Sequence, residues 1–154
     1  MLVLVTLVAC GGDGGSSADA DGGDPATGGS ELTAQQLERG IGPVTELELG
    51  ALDSELAAAG QAVFELKCSA CHKMAERYVG PALGDVLDRR RPEFVMNMIL
   101  NPAEMVEKHP AIRELLGQFM TPMPNQNLTQ DEARSVLEYL RRVQAESGSG
   151  PGGQ

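Results

Sequence analysis

The sequence predicts an all-α domain, on three observations. Ala133, Val136, Leu137, Leu140 and Val143 recur at i, i+3, i+4, i+7 and i+10, the spacing of one apolar helix face. No stretch alternates apolar and polar residues as a half-buried strand requires. Between helical patterns lies Cys68-Ser69-Ala70-Cys71-His72, whose two thiols, three positions apart, face the same way on a helical turn.

C-x-x-C-H is the sequence mark of covalent c-type haem attachment. Cys68 and Cys71 can each form a thioether to a haem vinyl, and His72 then reaches the iron. A zinc ribbon would want a second C-x-x-C or an H-x-x-x-H, and a thioredoxin-type pair would want a βαβ pattern. Neither is present, and the remaining cysteine, Cys10, stands 58 positions away.

The chain has 154 residues, enough for one domain plus tails. Its five aromatics are Phe64, Phe94, Phe119, Tyr78 and Tyr139, with no tryptophan, so the polypeptide alone offers a thin core. A buried macrocycle would supply the missing apolar surface, and the apoprotein is expected to fold poorly. The net charge of −10 is unevenly spread. Residues 10–60 hold ten acids and one base, whereas residues 61–154 hold twelve acids and eleven bases. The acidity therefore belongs to the leading segment, and the balance gives no footing for a nucleic-acid partner.

Residues 1–10 are apolar, end in Leu7-Val8-Ala9-Cys10, and are too short to span a membrane. They resemble the end of a bacterial lipoprotein signal, whose cysteine becomes the lipidated first residue of the mature chain. No basic segment precedes them, so the true start is expected to lie upstream. That resemblance implies a lipid anchor at Cys10 on the periplasmic side of a bacterial membrane. Residues 11–30 are glycine, aspartate, serine and alanine with almost nothing apolar, a flexible acidic tether. Residues 31–52 carry intermittent apolar positions broken by Gly40-Ile41-Gly42-Pro43, which predicts a short helix and an arm packed on the domain. The domain is expected over residues 53–145, and a disordered tail over 146–154.

The first domain helix is predicted to start at Asp53 or Ser54, either able to cap it, and to run to the haem motif. Gly60 within it costs roughly 1 kcal/mol relative to alanine, so it marks close approach by another helix. The expected partner is the last helix, at Tyr139-Leu140. Thr129-Gln130-Asp131-Glu132 is a capping box that opens this helix, and Arg141-Arg142 at its end suits the helix dipole. Between the two, Gly80-Pro81-Ala82-Leu83 predicts a turn, Arg91-Pro92-Glu93 opens an apolar helix that Asn101-Pro102 ends, and a further helix spans Pro110 to Phe119. Met120-Thr121-Pro122-Met123-Pro124 is then stiff and extended.

That stiffness suits a second axial ligand. A thioether favours ferrous iron and raises the reduction potential, and prolines on both sides of Met123 would hold its sulfur in place. Met120 is the rival. Met96 and Met98 read as core, Met74 is too near His72, and Met105 lacks a rigid setting. His109, before Pro110, is expected to be exposed and not to ligate.

The residues from Asp53 to Val143 resemble a class I (mono-haem) cytochrome c. Gly60 and Phe64, Cys68 to His72, Gly80-Pro81-Ala82-Leu83, Met123-Pro124, Leu128-Thr129 and Tyr139-Leu140 carry the resemblance in that order. It implies the class I cytochrome c fold, with N- and C-terminal helices crossing over one covalent haem c. It also implies that the Pro81 carbonyl accepts a hydrogen bond from His72, and that Arg89 contacts a haem propionate. The function expected is one-electron transfer through His72/Met123-ligated iron, with no substrate chemistry. The alternatives are a haem enzyme or ligand sensor with an open distal site, or a tethered subunit of a larger reductase or oxidase. Expected partners are redox proteins of a respiratory chain. Nitrous oxide reductase is one example, since a similar arm plus domain occurs in the lipoprotein cytochromes that accompany it.

Overall fold

The computed structural model describes residues 31–148; the lipidation box at Cys10, the tether over residues 11–30 and the end of the tail lie outside the described residues. Among the described residues there are seven helices and no strand: α1 (Ala34–Arg39), α2 (Ser54–Lys67), α3 (Val86–Arg89), α4 (Pro92–Leu100), α5 (Pro102–Lys108), α6 (Pro110–Phe119) and α7 (Gln130–Glu146). None of these helices is long and apolar enough to cross a membrane.

Two caps set the main pair of helices. The Asp53 carboxylate accepts from the amides of Glu55 and Leu56, both at 3.0 Å, and so starts α2. Thr129 and Glu132 form a reciprocal capping box on α7. Each cap is worth about 1 kcal/mol. The helices cross where α2 has no side chain, because a Cβ on Gly60 would overlap the Ser135 carbonyl and come within 2.8 Å of the Val136 nitrogen. The crossing thus lies one turn before the predicted Tyr139-Leu140. Tyr139 meets Phe64 instead, with ring centroids 5.4 Å apart. Periodicity identifies the face of a helix but not the height at which a partner crosses it.

Around this crossing Phe64, Val95, Met96, Ile99, Val136, Leu137 and Leu140 form the larger core cluster. Each such side chain contributes about 1.5–3 kcal/mol by leaving water. A smaller cluster joins Ile41, Phe94, Met105 and Ile112 and attaches the arm.

Three expectations change. Asn101-Pro102 ends α4 but does not end helical structure, because Pro102 at the first position of α5 loses no needed N–H and has a preset φ. Residues 86–89, where no helix is expected between the predicted turn and Arg91-Pro92-Glu93, form the one-turn α3. The basic pair Arg141-Arg142 is not terminal, since α7 runs on to Glu146. Arg141 instead donates to the Glu138 carboxylate at 2.8 Å and to the Gly50 carbonyl at 2.9 Å. Glu138, fully buried, also accepts from Arg134 and, at 2.9 Å, from the Asp53 amide. A buried carboxylate thereby ties the start of α2 to α7. Burial alone would raise its pKa, but the Asp53 amide and the two guanidiniums outweigh that and hold it below the ordinary range.

The arm is held by buried polar groups. Asn97 of α4 accepts from the Val44 amide at 2.9 Å and donates to the carbonyls of Arg39 (2.9 Å) and Val44 (2.8 Å). The Ile41 amide meets the Met105 sulfur at 3.1 Å, so Met105 is a fully buried structural residue. His109 is not exposed as expected: only 2% of it is accessible, its Nε2–H donates to the Leu37 carbonyl at 3.1 Å, and its ring packs edge-on against Phe94. Pro110 starts α6 directly, which turns His109 inward beneath α1 rather than into a loop.

Candidate functional site

The haem motif begins where α2 stops. Cys68 is the C-cap of α2, and the amides of Cys71 and His72 both donate to its carbonyl, at 3.0 and 2.9 Å. The following loop folds back on this turn. Gly80 donates to the Cys71 carbonyl (2.8 Å), Leu83 to that of Lys73 (3.0 Å) and Gly84 to that of Met74 (2.9 Å). These bonds bring the Pro81 carbonyl to 3.0 Å from His72 Nδ1. Gly80 is required here, because a Cβ would stand 2.5 Å from the imidazole.

A carbonyl can only accept, so Nδ1 carries the proton and Nε2 of the neutral ring keeps its lone pair. This is the tautomer a metal-binding histidine needs. Burial, with Cys71 close by, pushes the Cys68 thiol up to about 11. A disulfide-exchange pair needs the opposite shift. Among the described residues no cluster of three or more His, Cys, Asp or Glu could hold a bare metal ion. The raised Cys68 thiol does not fit a disulfide-exchange pair.

Cys68, Cys71 and His72 line a cavity of about 480 Å³. Its walls are apolar, from Phe64 on α2, Phe94, Val95 and Ile99 on α4, Leu115, Leu116 and Phe119 on α6, and Val136 and Leu140 on α7. Met123 lines the same cavity, between Pro122 and Pro124. Met120 does not: it caps α6 in the left-handed region (φ 54°) and is 80% exposed. Met98, expected in the core, also faces the cavity, whereas Met96 is fully buried in the core. Arg89 stands at the cavity wall, but its guanidinium donates to the Ala82 carbonyl at 2.8 Å and to Asp85 at 2.7 Å. The apolar walls, the two thiols and the oriented histidine fit a c-type haem.

Sequence reading did not find the α6 wall or Arg90, which lies 4.8 Å over the Phe94 ring and also lines the cavity. The α6 signal was available, because Ile112, Leu115, Leu116 and Phe119 share one helix face.

The sequence model of the cytochrome c family matches residues 57–144. A solved cytochrome c from Rhodothermus marinus is 42% identical, with a TM-score of 0.70, and the likeness covers 73% of this chain and 97% of that one. An engineered form of the R. marinus cytochrome is 41% identical with a TM-score of 0.68, covering 72% of this chain and 97% of its own. The same engineered protein bound to a carbene intermediate gives 41% and 0.66 at the same coverage. A comparison with curated protein sequences gives no match. Family match, likeness in structure and a cavity built round C-x-x-C-H agree, and the chain belongs to the cytochrome c family as a class I, mono-haem electron-transfer protein.

Proposed function

We propose that the protein is a one-electron carrier of a bacterial respiratory chain, with His72 and Met123 as the axial ligands of haem c. The supporting observation is that His72, its Nε2 lone pair left free by the Pro81 hydrogen bond, and Met123 line one apolar cavity. When bound, the haem supplies a one-electron iron couple. Cys68 and Cys71 anchor it, and Pro81 fixes the plane of His72. Pro122 and Pro124 reduce the entropy lost in holding the Met123 side chain still. Arg89, at the cavity wall, would hold a haem propionate. The apolar walls would limit water at the iron and so favour its less charged, reduced state.

A haem enzyme or ligand sensor is the alternative, and the carbene-bound engineered neighbour gives it some support. In this chain the polar side chains on the Met123 side of the cavity are Thr121 and Gln126, and neither is an acid or base of the kind proton transfer needs. Absorption spectra of the reduced holoprotein test the choice. Sharp bands unmoved by carbon monoxide are expected, and a shifted Soret band would favour the open site. The periplasmic, lipid-anchored location rests on Cys10 and the acidic tether, and the reductase or oxidase partner on the resemblance of arm plus domain to lipoprotein cytochromes of respiratory enzymes. Cys10→Ser in a chain expressed with its full native leader is expected to leave the membrane fraction; unchanged fractionation would refute the anchor.

A further inference from the structure

Between residues 120 and 128 the hydrogen bonds are short-range among the described residues: Gln126 donates to the Pro124 carbonyl and the Asn127 amide to the Asn125 side chain. The segment that carries Met123 is therefore secured by packing and by whatever holds its N-terminal end. That end is α6, and its Gln118 carbonyl is a last-turn carbonyl whose helical donor would be residue 122. Residue 122 is proline and has no N–H. The missing donor comes from the other side of the cavity. Arg77, in the loop between His72 and Gly80, donates from Nη2 to the Gln118 carbonyl at 2.6 Å, and its guanidinium lies 4.0 Å from the Phe119 ring centroid. Phe119, next to Gln118, and Val79, two residues after Arg77, both line the cavity.

We propose that Arg77 is a positioning residue, a clasp across the mouth of the haem cavity that holds the Met123 segment against the His72 loop and so resists loss of the distal ligand. The guanidinium lies over the ring while its Nη2 donates to the carbonyl, and its planar fork suits this double contact better than the compact ammonium of lysine. Its charge also complements the negative end of α6. The proposal rests on the His72/Met123 reading.

The test uses full-length holoprotein with Arg77→Ala, Arg77→Lys and, as a control for lost positive charge, Arg113→Ala on the exposed face of α6. Carbon monoxide uptake by the reduced protein is followed in a stopped-flow instrument. In the oxidised protein, heat bleaching of the near-infrared iron-methionine band is compared with melting of the helices by circular dichroism. Arg77→Ala is expected to speed carbon monoxide uptake about fivefold, the factor equivalent to one solvent-exposed hydrogen bond with its ring contact. It should also bleach the band well below the helix melt, with Arg77→Lys intermediate and Arg113→Ala unchanged. If Arg77→Ala yields too little holoprotein, Arg77→Lys carries the same readouts. Unchanged uptake and bleaching, or band and helices lost in step, would overturn the clasp while leaving the ligand reading intact. Absence of the band from the unsubstituted protein would overturn both.

Discussion

Gly60→Ala separates two opposing effects. In an exposed helix interior, replacing glycine by alanine stabilises by about 1 kcal/mol. At residue 60 the new methyl would fall on the Ser135 carbonyl and 2.8 Å from the Val136 nitrogen, all backbone of α7. Backbone cannot swing aside as a flexible side chain does, so α2 and α7 must separate along a contact that carries Phe64, Val136, Leu137 and Leu140. Overpacking costs about 1–3 kcal/mol, and a clash with backbone belongs at the upper end. The net expectation is a loss of about 2 kcal/mol, or a Tm lower by about 8 °C for a domain of this size. Thermal melting of the holoprotein by circular dichroism measures it, with Ala58→Gly on the exposed side of α2 as the converse control, expected to cost about 1 kcal/mol. A Gly60→Ala protein as stable as the parent, or more so, would refute the close crossing.

Two buried groups make acid-sensitive contacts. Glu138, whose folded pKa is lowered, stabilises the protein above its unfolded value and loses that contribution as pH falls through the folded pKa. Glu138→Gln should therefore cost about 2 kcal/mol at pH 7 and much less near pH 3, as read from urea midpoints. His109 is likewise lowered, chiefly by burial and in part by Arg90, against the opposing hydrogen bond to Leu37. The neutral form is favoured, so its contribution is present above the unfolded value near 6.5 and is lost as pH falls below it. His109→Gln should remove the part of the stability loss seen between pH 7 and pH 5, and an unchanged slope there would contradict the burial of a neutral ring.

The parts of the fold set by local chemistry were legible. The Asp53 cap, the Thr129 capping box and Pro110 each solve a problem of unpaired backbone groups within four residues, and each lies where its helix starts. The C-x-x-C-H turn was legible in the same way, whereas the Pro81 carbonyl that His72 meets was expected only from the resemblance to class I cytochromes c. What escaped depends on contacts distant in sequence. Asn97 resembles a surface asparagine until the arm lies over it, and Glu138 resembles a solvated acid until Asp53 arrives 85 residues away. One clue was present for Glu138, since Arg134 and Arg141 flank it on the same helix face. Arg77 gave no such clue, because its role depends on a carbonyl left without a donor by Pro122.

The near-infrared spectrum of the oxidised holoprotein tests the central claim most directly, read on Met123→Ala beside Met120→Ala. His72/Met123 ligation predicts a weak iron-methionine charge-transfer band that Met123→Ala abolishes while haem stays covalently attached through Cys68 and Cys71. Met120→Ala, at a side chain 80% exposed, should leave the band in place. A band lost with Met120 and kept without Met123 would contradict the ligand assignment, and no band in the unsubstituted protein would contradict histidine-methionine ligation altogether.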